Sequence, residues 1–378
     1  MDFAETESQA ELAGLARKIL TEQVTPERLA AAEAGPDRFD TALWGDLAGA
    51  GVLAAALPEA LGGAGLGFLD ACSVLIEMGR AVAPVPYLAS AVLGAGAVAR
   101  FGSAAQQEEF AVPAGRGELI LTAALAEEDG DDPAAPSARA GRDTAGGWVL
   151  SGVKTTVPAA PLAALLLVPA VTPDGVAVFL VRPGDAGVTV ARQQVTSGDS
   201  TGRVVLDQVR VGADRVLGEQ NGAAGGAAAA AVWLLRAGTV GLCATAAGVT
   251  ARALELTAGY ARERVQFGKP IGGFQAVAQR LADAYIDSEA VRLTMWHAAW
   301  RLAEGLPCAA EIATAKFWAA DAGHRVAHTA VHVHGGVGID VSHPAHRYFV
   351  AAKHCEFLLG GATVQLRRLG AELAAADS

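Results

Sequence analysis

Arg264-Val265-Gln266-Phe267-Gly268-Lys269-Pro270-Ile271-Gly272-Gly273-Phe274-Gln275 is the stretch on which the reading of this chain turns. It lies between two long amphipathic patterns, around Ala244–Arg262 and Gln275–Glu304, each with apolar residues at helical spacing. A third such pattern runs over Ala309–Val333. It ends in a second unusual stretch, His332-Val333-His334-Gly335-Gly336-Val337-Gly338, followed by His343-Pro344 and Ala352-Lys353. Residues 221–378 therefore read as a helical bundle.

Upstream the texture changes. Short apolar runs at Leu119–Leu125, Trp148–Val153, Ala164–Val168, Val176–Val181, Val188–Val190 and Val204–Val211 are separated by Gly, Pro and Asp. That is the signature of a small antiparallel β domain over residues 116–220. Within it Glu127–Ala145, rich in Asp, Ala, Gly and Pro, reads as a mobile loop. Residues 1–115 read as helical: Leu12, Leu15, Ile19 and Leu20 recur at helical spacing, and the rhythm resumes over Phe68–Val82. Leu57-Pro58-Glu59 and Gly62-Gly63-Ala64-Gly65 interrupt it as a loop. The expected fold class is α+β in three domains, 1–115, 116–220 and 221–378.

Composition narrows the function classes. With 378 residues, 52% hydrophobic and 18% charged, the chain is long and apolar enough for a large shared core. A net charge of −11 argues against nucleic-acid binding, which needs a basic footprint, but leaves room for a local phosphate pocket. Cys72, Cys243, Cys308 and Cys355 are far apart and form no C-x-x-C pair, so they read as reduced, buried thiols in a cytoplasmic protein. The acidic Met1-Asp2-Phe3-Ala4-Glu5 lacks the basic start of a secretory signal. The longest apolar run, Gly222–Leu235, is mostly Ala and Gly, and reads as a buried helix, not a membrane span.

The two quoted stretches, in this order, resemble the flavin-associated motifs of the acyl-CoA dehydrogenases. Leu57-Pro58-Glu59 with its glycine loop, and Trp148-Val149-Leu150-Ser151-Gly152-Val153-Lys154, match further landmarks of that family, so the resemblance covers nearly the whole chain. It implies N-terminal helices, a middle β domain and a C-terminal helical bundle. It also implies FAD as cofactor, an acyl-CoA substrate, a tetramer and an electron-transfer flavoprotein as acceptor. By the same match Arg264, Gln266, Phe267, Ile271, Phe274 and Gln275 face the adenosine end of FAD, with His332, Gly335 and Gly336 near its diphosphate. The residue types suit that task. Arginine offers a fixed fork of donors to a phosphate oxygen, an aromatic ring packs on a base, and glycine lets backbone approach closely. The family usually carries Gln at the place of His332. His324, His328 and His332 fall at i, i+4 and i+8, but no H-E-x-x-H or matching carboxylate accompanies them, so no metal site is expected.

The family reaction removes an α-proton from an acyl-CoA thioester and needs a carboxylate base. The resemblance puts that base at one of two positions, and here they hold Leu359 and Gly238. No acid occurs in Phe357–Ala371 or in Asn221–Leu254. Glu356 lies three residues before Leu359, nearly on the same helical face, and is a weak candidate for the base. The stretch Ala126-Glu127-Glu128-Asp129-Gly130-Asp131-Asp132 adds acids where the family lines its flavin, and Thr155-Thr156-Val157-Pro158 replaces a ring-stacking Trp. Val350-Ala351 stands where the family has Arg-Asp. The adenosine-side residues are kept and the ring side is altered. Three readings stay open: a partner subunit in a mixed oligomer, a self-sufficient homotetrameric dehydrogenase with a base such as Glu356, and a non-catalytic scaffold.

Overall fold

The structure is a computed structural model that describes residues 5–128, 135–144, 146–218 and 226–376. Helices α1 (Glu7–Gln23), α2 (Pro26–Ala34), α3 (Thr41–Gly49) and α4 (Phe68–Ala81) come first. A π-helical run, Leu88–Ala95, continues into α5 (Gly96–Phe101), and the short α6 (Ala104–Gln106) and α7 (Val112–Gly115) precede the sheet. Its strands are β1 (Leu121–Ala123), β2 (Arg139–Arg142), β3 (Trp148–Pro158), β4 (Leu165–Thr172), β5 (Gly175–Val181), β6 (Val188–Arg192), β7 (Thr201–Val211) and β8 (Val216–Leu217). Then follow α8 (Gly226–Glu263), the two-residue strands β9 (Val265–Gln266) and β10 (Lys269–Pro270), α9 (Gln275–Ala303), α10 (Ala309–His334), α11 (Pro344–Phe357) and α12 (Ala362–Ala376). This is the α+β order expected from the sequence.

Two compact units emerge, one of Glu27–Ala71 and Pro84–Gly238, the other of Met1–Pro26, Cys72–Ala83 and Thr239–Ser378. In the first, the strands run in the order β6-β7-β3-β2-β4-β5-β8, with β1 beside β4. Most pairings are antiparallel, as the alternating runs predict, but β1 and β2 lie parallel to β4. The expected loop over 127–145 is corrected in part. Arg139–Arg142 pairs residue by residue with Trp148–Ser151, although its Arg-Ala-Gly-Arg composition carries no strand signal. Asp129, Gly130, Asp131, Asp132 and Ala145 lie outside the described residues. Leu150, Val168, Phe179, Val204 and Val209 fill the core of this unit. Trp148 meets Phe179 edge to face, with ring centroids 5.4 Å apart, and the Arg142 guanidinium covers the indole at 3.8 Å.

In the second unit, helix α1 starts with a capping box in which Thr6 accepts from the Gln9 amide and the Gln9 side chain accepts from Thr6. Two glycines let helical backbones touch: a Cβ on Gly248 would lie 1.9 Å from the Ile76 carbonyl oxygen, and one on Gly79 would lie 2.1 Å from that of Thr245. Arg17 grips Glu77 with two hydrogen bonds of 2.8 and 3.0 Å. Tyr348 donates to the Arg80 carbonyl at 2.6 Å. The four cysteines are buried thiols. Helix α8 is long and apolar enough to cross a membrane by length and composition, but 56% of its most apolar window is buried inside the fold, as in a core helix.

Candidate functional site

Residues 264–271 form a tight hairpin. Helix α8 ends at Glu263; Val265–Gln266 then pairs antiparallel with Lys269–Pro270, and Ile271 donates to the Arg264 carbonyl at 2.8 Å to close the base. Phe267 and Gly268 form its two-residue turn, with φ of 51° and 79°. Positive φ at both central residues is the requirement of a type I′ turn, usually met by Asn-Gly. Phe267 takes it against the preference of a bulky side chain, and its ring stands 92% exposed at the tip. Phe274 meets that ring edge to face at 6.1 Å, and Lys269 caps Phe274 at 4.5 Å. The Arg264 side chain is exposed and makes no ion pair among the described residues.

Beside the hairpin, α9 and α10 wall an open groove of about 1050 Å³. Gln266, Phe267, Ile271, Phe274 and His332 line it together, so these five sequence candidates converge. Arg264, Gln275, Gly335 and Gly336 are not part of its lining. Gly335 terminates α10 with φ 65° and ψ −144°. A Cβ on either Gly335 or Gly336 would meet nothing within 4 Å, so backbone there is open to a close approach, whereas Gly338 is packed against Val331 and His334. His334 is buried, bonded to the Ala330 carbonyl at 2.8 Å and stacked on Tyr260 at 4.4 Å. Burial and the neighbouring His343 push its imidazole below the ordinary value, against the pull of that carbonyl.

The groove also holds residues not singled out as cofactor contacts. Arg325 is held above its ordinary value chiefly by its hydrogen bonds to Asp287, at 2.6 and 2.8 Å. His324 and His328 stack 4.3 Å apart on the floor. Among the described residues no three His, Cys, Asp or Glu side chains are grouped so as to hold a metal ion.

Glu356 is spoken for. Its carboxylate lies 2.8 Å from Lys353 Nζ and 3.2 Å from His324 Nδ1. The expectation that it shares a helical face with Leu359 is corrected: α11 stops at Phe357, and Leu359 sits at φ 61° before Gly360 at φ 95°. Lys316, fully buried, holds that turn by donating to the carbonyls of Cys355, Glu356 and Gly360 at 2.9, 3.1 and 3.0 Å. Burial pushes its ammonium below the ordinary value. Gln365 adds a donor to the Leu359 carbonyl at 3.0 Å. Gly238 lies inside α8.

In the other unit, the two described acids of the acidic stretch, Glu127 and Glu128, are both paired. Glu127 is buried and 2.6 Å from the Lys154 ammonium, and it also accepts from Ser137 and Ala138. Burial alone would raise its carboxyl, but Lys154 and the Ser137 donors outweigh it and hold the acid below the usual range. Burial also pushes Lys154 down, against the pull of Glu127. Glu128 pairs with Arg203 at the surface. After Lys154 strand β3 bulges before Val157; Thr156 takes φ 46° and donates its amide to Gln193 at 2.7 Å.

Helices, a mixed sheet and a long-helix bundle, with this hairpin between the first two bundle helices, define one fold. Models of the acyl-CoA dehydrogenase N-terminal, middle and C-terminal domains match residues 6–118, 122–209 and 226–374. Acyl-CoA dehydrogenase FadE27 of Mycobacterium tuberculosis is 48% identical over 99% of both chains. The chain belongs to the acyl-CoA dehydrogenase family. A chain of the ChsE4–ChsE5 complex from Mycobacterium tuberculosis has a TM-score of 0.93 at 49% identity, covering 99% of each chain. A chain of a variant of the Tcur3481–Tcur3483 steroid ACAD has a TM-score of 0.91 at 43% identity, covering 98% of this chain and 99% of that one.

Proposed function

We propose that this chain is the adenosine-side subunit of a mixed acyl-CoA dehydrogenase oligomer, whose other chain carries the flavin-ring pocket and the base. The observation that carries the reading is the exposed hairpin. Arg264, Gln266 and Phe267 project outward with open backbone at Gly335 and Gly336, while the position of the family's base holds Leu359 on a tightly held turn. Outward-facing contacts of this kind suit a cofactor shared with a second chain. The names of two relatives, each a pair of proteins, support a mixed assembly.

The residues fit the adenosine and diphosphate end of FAD. Arg264 has an uncommitted guanidinium for a phosphate oxygen, Phe267 and Phe274 offer ring faces, and Gln266, Gln275 and His332 offer exchangeable donors. Bound FAD would accept the hydride that leaves the acyl β-carbon. This chain's own part is to bind and orient the cofactor's far end. The steroid ACAD relative supports a bulky acyl-CoA thioester as substrate; an electron-transfer flavoprotein as acceptor and the cytoplasm as compartment complete the proposal.

The test is the visible absorption spectrum. The chain purified alone is expected to hold little FAD and to turn over no acyl-CoA; co-expression with a Glu-bearing relative restores both. One FAD per chain with turnover in the isolated protein would overturn the reading.

A further inference from the structure

Two arginines, Arg280 and Arg325, and two aspartates, Asp283 and Asp287, line the groove, so their formal charges cancel. Its sign is therefore left to the three histidines of α10, His324, His328 and His332, spaced one turn apart along the floor. Histidine is the side chain whose charge changes near neutral pH.

The innermost of them is wired to report its own protonation. Lys353 Nζ lies 2.6 Å from His324 Nδ1, and an ammonium only donates, so that nitrogen accepts and the ring proton sits on Nε2. Both Glu356 oxygens lie 3.2 Å from the same nitrogen, and a carboxylate only accepts. Nδ1 can therefore serve Lys353 or Glu356, but not both. Protonating His324 transfers Nδ1 from Lys353 to Glu356 and adds a positive charge to the floor. His328, stacked on His324 at 4.3 Å and edge-on to Phe349 at 5.3 Å, feels that charge directly. The other charges nearby are paired: Asp287 and Asp321 with Arg325, and Lys353 with Glu356, the two groups that contest His324 Nδ1.

We propose that His324 and His328 join the cofactor groove as a proton gate, tightening its hold on the diphosphate of a dinucleotide as pH falls. The gate rests on the reading of the hairpin groove as the adenosine-side site. His328 lies one helical turn, about 6 Å, from His332 at the hairpin end, inside the Debye length at moderate ionic strength, and His324 acts on it through their stacked contact.

The probe is ADP-ribose, whose doubly esterified diphosphate keeps a constant charge between pH 6 and 8, so that any pH dependence belongs to the protein. Calorimetry on the FAD-stripped complex of this chain with its Glu-bearing partner should show binding that tightens by about tenfold from pH 8 to pH 6. The His324→Gln/His328→Gln variant should lose most of that gain. Ring-carbon NMR of the wild-type histidines, which needs no ligand, should show His324 and His328 titrating as a coupled pair. Binding that ignores pH, or a double variant that keeps the full gain, overturns the gate alone. Independent titration of the two rings overturns it as well. No ADP-ribose binding at either pH overturns both the gate and the adenosine-side reading.

Discussion

The carboxylate of Glu356 is held 2.8 Å from the ammonium of Lys353, one turn earlier on α11. Both side chains are mostly buried, and His324 contributes a second contact at 3.2 Å. A carboxylate so engaged is committed to the protein's own network and is poorly placed to collect a substrate proton. Glu356→Gln should therefore leave the turnover of a co-purified complex within about threefold, where loss of a true base costs at least about a hundredfold. Glu356→Ala should lower unfolding free energy by about 1–2 kcal/mol, because Lys353 is left without its anion. A steady-state assay beside urea unfolding separates the two roles.

The Glu127–Lys154 pair makes a prediction in pH. Glu127 is held below its ordinary value of 4.5, so its stabilising contribution is fully present above that value and is lost as pH falls through the folded value. Wild-type unfolding free energy should drop below about pH 4.5 more steeply than that of Glu127→Gln. At pH 7 the same variant should cost about 3–5 kcal/mol, since it leaves a buried ammonium unpaired, while Glu127→Gln with Lys154→Met should recover part of the loss. Equal acid slopes in the two proteins would remove this pair from the account of stability.

Gly248 tests the helix crossing. An alanine there places its methyl carbon 1.9 Å from the Ile76 carbonyl oxygen, a backbone atom that cannot step aside without moving its helix. Gly248→Ala should destabilise by about 3 kcal/mol, against the slight gain an alanine normally brings to a helix interior. Gly14→Ala, in α1 with nothing within 4 Å of its Cβ, is the matched control and should be neutral or stabilising. Thermal unfolding of the two variants decides it.

Much of this was legible in the chain because long periodic elements announce themselves. The patterns at 275–304 and 309–333 correspond to Gln275–Ala303 and Ala309–His334, and the six apolar runs of the middle region fall on β1 and on β3 to β7. Elements whose stability comes from their neighbours were not legible. Strand β2 is Arg-Ala-Gly-Arg, a strand because β3 and β4 flank and pair with it. The 264–270 hairpin hides in strands of two exposed residues, too short for any alternation to register. The link between Glu356 and Leu359 failed where a regular helix was extended past its end. Gly360-Gly361 was the stop signal, and the left-handed turn it permits carries Leu359 off the helix. The His324–His328–His332 spacing was visible, but its partners Lys353 and Glu356 come from another helix and needed the tertiary fold.

Phe267 gives a prediction in which stability and function move in opposite directions. Its φ of 51° is costly for an aromatic residue, and its ring, 92% exposed, gains little from the fold in return. Asparagine is favoured at this position of a type I′ turn and tolerates positive φ. Phe267→Asn should therefore leave the isolated chain as stable as the wild type or raise its unfolding free energy by about 1 kcal/mol. The same change removes a ring face from the proposed cofactor groove, so FAD retained by the co-purified complex should fall several-fold, at a cost of about 1 kcal/mol in binding. A residue retained for folding would show the reverse, with stability lost and flavin content unchanged. Thermal unfolding of the isolated chain and the flavin-to-protein absorbance ratio of the complex, measured on one variant, tell these cases apart.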